Sequence, residues 1–205
     1  MRRAPLVALG ILALGLAALG WTWWPAARPA PAPAPPAASS AGSNRVVYPP
    51  GHRPAVVLTP QRREPIRSIL NLRQPMHFGQ WVWDERGIPA GPVWIRVDLT
   101  AQILSVFRGG DEIGSTVVLY GAADKPSPAG VFPVLRKAAE YRSRTYDADM
   151  PFMLQLTADG VAIHGAEVRR GAATHGCIGV PVDFARRLFG AVTRGDLVLI
   201  QGAAS

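Results

Sequence analysis

The sequence predicts a mainly β folded domain, a sandwich or barrel with a short helix, carried behind an apolar amino-terminal segment. Three observations point there. Short β-branched runs recur between Val93 and Ile200 with turn signals between them. A single helical pattern follows Pro181, and residues 1–43 contain no acidic residue and no alternation that would build a core. The chain has 205 residues, 48% hydrophobic and 18% charged, with one cysteine, which suits one folded domain and excludes a multi-disulfide scaffold.

From Leu6 to Trp24 no residue is charged, and Arg2 and Arg3 precede the stretch, so it has the basic flank and apolar run of an export signal. It is also long enough to span, since a hydrocarbon core takes about 20 apolar residues in helical form. Trp21, Trp23 and Trp24 would form the aromatic belt at the far interface, and Pro25 stops the helix. Two readings stay open for residues 1–24: an uncleaved anchor over residues 5–24, or a signal peptide cut near Ala18-Leu19-Gly20. Both keep Arg2 and Arg3 cytoplasmic, so the expected location is the cell envelope, periplasmic or outward-facing, with the membrane as a partner of this segment.

Residues 25–43 are almost wholly Pro, Ala, Ser and Gly, the composition of an extended spacer at about 3 Å per residue. Residues 44–92 read as an irregular extension with scattered Pro and Gly, short apolar clusters such as Val56 to Leu58, and a short helix near Ser68. Val93 to Leu99 and Ile103 to Arg108 then alternate around Thr100-Ala101-Gln102, which predicts a hairpin, and Gly109-Gly110-Asp111 supplies the next turn. Ser115 to Tyr120, Gly130 to Leu135, Phe152 to Thr157, Val161 to His164 and Asp196 to Ile200 continue the series. The helix opens at Pro181-Val182-Asp183, with Phe184, Leu188, Ala191 and Val192 on one face and Arg186 and Arg187 turned away.

Charge sets a bound on partners. Of the 22 basic residues all but Lys125 and Lys137 are arginine, and the net charge of +8 falls to +5 once Arg2, Arg3 and Arg28 of the first 43 residues are set aside. A mildly basic domain suits weak association with an anionic polymer or surface, and no nucleic-acid partner is expected.

The chemistry concentrates in residues 162–181, AIHGAEVRRGAATHGCIGVP, where His164, His175 and Cys177 fall within fourteen positions. A lone cysteine in an exported chain is either an inert buried thiol or one kept for reactivity. The thiolate is the attacking form, so a reactive thiol needs an imidazole to take its proton or an electropositive setting. Either histidine can serve. Gly165 and Gly176 let backbone approach a substrate carbonyl, and the amides around Gly176 and Cys177 are candidate donors to a developing oxyanion. A zinc site from His164, His175 and Cys177 is the rival reading, but His-x-Cys is cramped for two tetrahedral ligands and no acidic cluster completes the set. No metal and no cofactor are expected. His52 and His77 lie in the irregular extension and read as surface or packing residues.

His164-Gly165, a short loop, and Thr174-His175-Gly176-Cys177-Ile178 resemble the HG…[ST]HGC signature of the L,D-transpeptidase catalytic domain, the YkuD-type family of cell-wall enzymes. Ile95 to Val134 is similar to the family's opening, with Ser127-Pro128-Ala129-Gly130 standing for its Thr-Pro-x-Gly-like turn. The resemblance implies a catalytic domain over residues 93–202, built as a mixed-sheet sandwich or barrel with one or two short helices. It implies Cys177 as nucleophile and His164 as base, with His175 and Thr174 shaping the site and main-chain donors near Gly176 and Gly165 facing the substrate. The implied partner is a peptidoglycan tetrapeptide stem: the thiol attacks the carbonyl of the third-position diamino acid, D-Ala leaves, and an amine from another stem takes the acyl group. Water in place of that amine would make the enzyme a carboxypeptidase or amidase of the same fold, and a silent wall-binding module is the reading from outside enzymology. Two departures stand out. The family's commoner HGC-Ile-Arg-Leu is here interrupted by Gly179, so the guanidinium is missing, with Arg169 or Arg170 as candidate replacements; and the loop Ala166 to Ala173 is short.

Overall fold

The computed structural model describes residues 44–202 and the backbone of one two-residue strand before them. In chain order its elements are β1 (Ala38–Ser39), β2 (Arg45–Val47), β3 (Ala55–Thr59), β4 (Arg62–Pro65), β5 (Ser68–Leu70), β6 (Trp81–Trp83), β7 (Val93–Asp98), β8 (Ile103–Arg108) and β9 (Asp111–Val117). The second half adds β10 (Gly130–Pro133), β11 (Arg136–Ala138), β12 (Arg142–Ser143), β13 (Ala148–Asp149), β14 (Met153–Gln155), β15 (Ala162–Ala166), β16 (Ile178–Pro181), α1 (Val182–Ala191) and β17 (Leu197–Gln201). The expected membrane segment, residues 5–24, and nearly all of the expected spacer lie outside the described residues. Among those described, no helix is long and apolar enough to cross a membrane.

The fold is mainly β with mixed sheets. The larger sheet runs β1-β2-β5-β9-β8-β7-β17-β10, with β6 paired to β9, and contains the parallel pairs β7/β17 and β5/β9. The second sheet runs β11-β14-β15-β16, and its β15/β16 pair is parallel. The hairpin expected around residues 100–102 forms as β7 and β8, where the Ala101 amide donates to Asp98 and Gln102 takes a positive φ. Alternation decides the two faces. Ile95, Val97, Leu104 and Val106 are fully buried on the inner side, against Leu154, Ile163, Ile178, Val180 and the α1 residues Phe184, Ala185 and Leu188. Trp94 and Phe107, stacked with ring centroids 4.2 Å apart, point to the outer side and are covered by Leu58 and Ile66 of the extension.

Residues 44–92, expected to be irregular, carry five strands, three of which join the large sheet. The helix expected near Ser68 is instead strand β5. The reason is the period of burial: Ile66, Ser68 and Leu70 are buried while Arg67 and Ile69 between them are only partly so, an alternation of two that pairs with β2 on one side and β9 on the other. The buried hydroxyl of Ser68 donates to Asp111 and so breaks the apolar pattern without exposing the strand.

Helix α1 forms where the sequence places it and lays Phe184 against Trp81 and Trp83, with centroids at 6.1 and 5.5 Å. Its last turn holds no basic residue, yet its carboxyl end is not left open. Lys137 of β11 reaches over the Phe189 ring and donates from Nζ to the carbonyls of Phe189, at 2.6 Å, and Val192. A cation on the last carbonyls satisfies groups that the helix cannot satisfy itself and opposes its dipole. Lys137→Met is therefore expected to cost about 1–2 kcal/mol, read as a fall of roughly 3–6 °C in Tm by thermal unfolding. An unchanged Tm would contradict the capping role.

Candidate active site

The site is built by the parallel pair β15/β16. In their register Ile163 faces Ile178 and His164 faces Gly179, and Ile163, Ile178 and Val180 are buried. Alternation along β15 then turns the His164 ring away from the Ile163 side, while Cys177, one residue before β16, arrives beside Ala162. His164, Cys177, Thr174 and His175 all line one cavity of about 380 Å³. A hollow of about 590 Å³ is larger, but Glu140, Tyr141, Arg142, Asp149 and Pro151 line it and none of them is a thiol or imidazole.

The hydrogen bonds set the chemistry of each group. His164 Nδ1 lies 2.9 Å from the Gly165 carbonyl. A carbonyl only accepts, so Nδ1 carries the proton, and in the neutral ring Nε2 is left as the basic nitrogen. Burial holds this imidazole below its ordinary range, opposed by the hydrogen bond to Gly165. Cys177 is half-buried, packed near Met150, Met153 and Ala162, with Sγ 3.8 Å from the Gly160 carbonyl. Burial pushes its thiol up, the Ala162 main chain pulls the other way, and the Asp159 carboxylate adds to the rise. Both shifts favour the neutral pair, thiol and imidazole, over a resting ion pair.

The remaining expected residues divide. His175 is exposed and its ring stacks on Tyr146, with centroids 4.4 Å apart and planes 12° off parallel, which makes it a wall of the cavity. Thr174 donates from Oγ1 to the Cys177 carbonyl at 2.6 Å, and its main chain is tied to Tyr120 and Ala122. Gly176 is buried behind the thiol with φ +103°, a conformation that side chains avoid. Gly165 does not line the cavity. A Cβ there would lie 3.1 to 3.3 Å from Pro151 and the Val182 backbone, so its smallness serves packing and not approach to a substrate. His52 and His77 are exposed in the extension, away from the cavity. Among the described residues no three His, Cys, Asp or Glu side chains form a group suited to a metal ion.

Neither candidate arginine replaces the missing guanidinium. Arg169 sits 3.8 Å from Glu167 and Arg170 lies over Phe78, and neither lines the cavity. Gly179 is also tightly packed: a Cβ would stand 3.1 Å from the Ala166 side chain and 3.3 Å from that of Leu119, with which Gly179 exchanges two main-chain hydrogen bonds of 2.9 Å. Tyr146 is not marked by any pattern in the sequence, and Ser127 is marked only as part of the Ser127–Gly130 turn, not by its contact with the Cys177 loop. Tyr146 is delivered by the β12/β13 hairpin, held by Arg142 on Asp147 and Asp149 at 2.9 and 2.6 Å. Ser127 reaches the Cys177 loop across about fifty residues of chain.

The model of one family, the L,D-transpeptidase catalytic domain (YkuD), matches residues 92–200, slightly more than half of the chain. No curated protein sequence matches. Among solved structures, an L,D-transpeptidase from Stackebrandtia nassauensis is 24% identical with a TM-score of 0.51, over 56% of this chain and 57% of that one. An L,D-transpeptidase from Mycobacterium smegmatis is 24% identical with a TM-score of 0.50, over 54% and 58%. Another, from Mycobacterium tuberculosis H37Rv, is 23% identical with a TM-score of 0.50, over 54% and 57%. The chain thus covers less than two thirds of each of these three structures, and the likeness is one of fold.

Proposed function

Because the chain belongs to the L,D-transpeptidase catalytic-domain family, we propose that it is a cysteine acyltransferase that remodels or cross-links peptidoglycan through a thioester. The observation that carries this reading is the meeting of Cys177 and His164 in one cavity, with Nδ1 of the imidazole committed to Gly165 and Nε2 left basic.

In the reaction Nε2 of His164 takes the thiol proton as Sγ of Cys177 attacks the carbonyl of the third-position residue of a tetrapeptide stem. The carbonyl oxygen becomes an oxyanion held by main-chain amides near Gly176 and Cys177. The tetrahedral adduct collapses, the bond to the terminal D-Ala breaks, and the His164 imidazolium returns its proton to that leaving amine. The acceptor amine then attacks the thioester, gives a proton to His164, and releases the thiol. Thr174 supports the loop and His175 with Tyr146 borders the substrate. No step calls for a metal or cofactor. We read residues 5–24 as an anchor or export signal, and the domain accordingly as acting on the outer side of the membrane, where stem peptides lie.

The purified domain, given a disaccharide tetrapeptide with and without an amine acceptor, is expected to form a cross-linked dimer or amine adduct. A tripeptide as sole product, with acceptor present, would replace transfer by hydrolysis. No product, together with no thioester, would overturn the reading.

A further inference from the structure

The mechanism leaves one buried hydroxyl unused. Ser127 is 5% exposed and sits between two segments that are distant in sequence. Its Oγ accepts from the Gly121 amide at 3.0 Å and lies 3.0 Å from the Gly176 carbonyl and 3.4 Å from that of Cys177. A hydroxyl has one proton, and the shorter contact gives it to Gly176. The Gly121 segment is itself fixed to the nucleophile loop: Thr174 donates to Tyr120 at 2.9 Å and Ala122 donates to Thr174 at 3.0 Å.

The consequence follows from peptide geometry. In a planar trans peptide the C=O and the next N–H point in opposite directions. With the Gly176 carbonyl drawn toward buried Ser127, the amide of Cys177 points away from Ser127, and Cys177 itself borders the cavity. Gly176 itself holds a φ of +103°, which a side chain at this position would disfavour. Neither the Gly176 nor the Cys177 amide has an acceptor among the turn and loop hydrogen bonds of the described residues. Thr174 fixes the following peptide through the Cys177 carbonyl. We infer that Ser127 is a positioning residue that aims the Cys177 amide at the developing oxyanion by holding the Gly176 carbonyl.

This rests on the proposed acyl transfer, and two thiol reactions separate it from a general structural role. Acylation by a carbapenem, a β-lactam expected to inhibit by the family resemblance, passes through a tetrahedral oxyanion as the ring amide opens. Alkylation by iodoacetamide at the same sulfur displaces iodide and forms no oxyanion. Ser127→Ala is expected to slow acylation by about 10–100-fold, less than the loss of an oxyanion donor outright because the amide is misaimed and not removed. The fall should lie in the first-order acylation constant and not in the half-saturating concentration. Alkylation should stay within about twofold of wild type and keep its pH profile, since the thiol and His164 are untouched. Ser127→Thr, which keeps the hydroxyl, is expected to restore acylation.

Acylation at the wild-type rate in Ser127→Ala, or an equal fall in acylation and alkylation, would overturn the inference. A threonine variant as slow as alanine would do the same. If Ser127→Ala does not fold, Ser127→Cys, with a weaker donor, should show the same split to a smaller degree, and its absence would count against the role. Wild-type protein that alkylates but forms no acyl adduct would overturn the transferase reading itself, and this inference with it.

Discussion

Cys177→Ser is expected to lower acyl-enzyme formation by about 10³-fold or more, because a serine hydroxyl at neutral pH is a far weaker nucleophile than a thiol with a neighbouring base. The change is small in volume. Cys177 is only half-buried and lies against Ala162, Met150 and Met153, so the loop and the His164 ring should stay in place. The loss would therefore report chemistry and not unfolding. Intact-mass measurement after exposure to a carbapenem checks it: wild type gains the adduct, Cys177→Ser does not, and its thermal unfolding is little changed. An undiminished adduct in the variant would remove this sulfur from the reaction.

The second large effect belongs to His164. His164→Ala is expected to reduce acylation by about 10²–10⁴-fold, whereas His52→Ala, at an exposed turn of the extension, should leave it within about twofold. The pH dependence has a definite sign. The base-competent form of His164 is the neutral ring, and burial keeps the ring neutral to lower pH than an ordinary imidazole, so the acid limb of the wild-type rate should fall below the ordinary value of 6.5. Burial also pushes the Cys177 thiol above 9.0, so the free thiolate is scarce at neutral pH and the proton must leave during the attack. Without His164 the residual rate should climb with pH into the alkaline range, following the thiolate fraction. Equal losses in the two histidine variants, or a residual rate flat in pH, would refute the assignment of the base.

How much of this was legible in the sequence depends on which interactions are local. The β7/β8 hairpin could be read because Val93 to Arg108 alternates around a three-residue turn, and α1 because Phe184, Ala185 and Leu188 recur at helical spacing after Pro181. Strand β5 reads as helix in the sequence because its buried Ser68 interrupts the apolar pattern and its partners, β2 and β9, lie on either side of it in sequence. Strand β16, Ile178 to Pro181, contains a glycine and a proline and has little intrinsic strand preference. It is a strand because β15 pairs with it in parallel and Leu119 bridges Gly179.

The site shows the same division. His164 and Cys177 stood out through their spacing in one short stretch, and the parallel register brings that stretch to one cavity. Gly165 looked like a point of substrate approach, but its reason lies in Pro151 and Val182, which no local pattern reveals. The missing guanidinium at Gly179 was visible; the close packing of Ala166 and Leu119 around that position was not. Ser127 and Tyr146 reach the site only through long-range packing, from a loop and from a hairpin with strands of two residues each.

The most direct test of the account is peptide-mapped mass spectrometry of the protein quenched in acid during turnover of a tetrapeptide donor. The account predicts one acyl group, equal to the donor less its terminal D-Ala, on the peptide that contains Cys177, and removed by hydroxylamine as a thioester is. An acyl group on a peptide lacking Cys177, or tripeptide accumulating with no covalent species at any quench time in wild type and at an equal rate in Cys177→Ser, would contradict it.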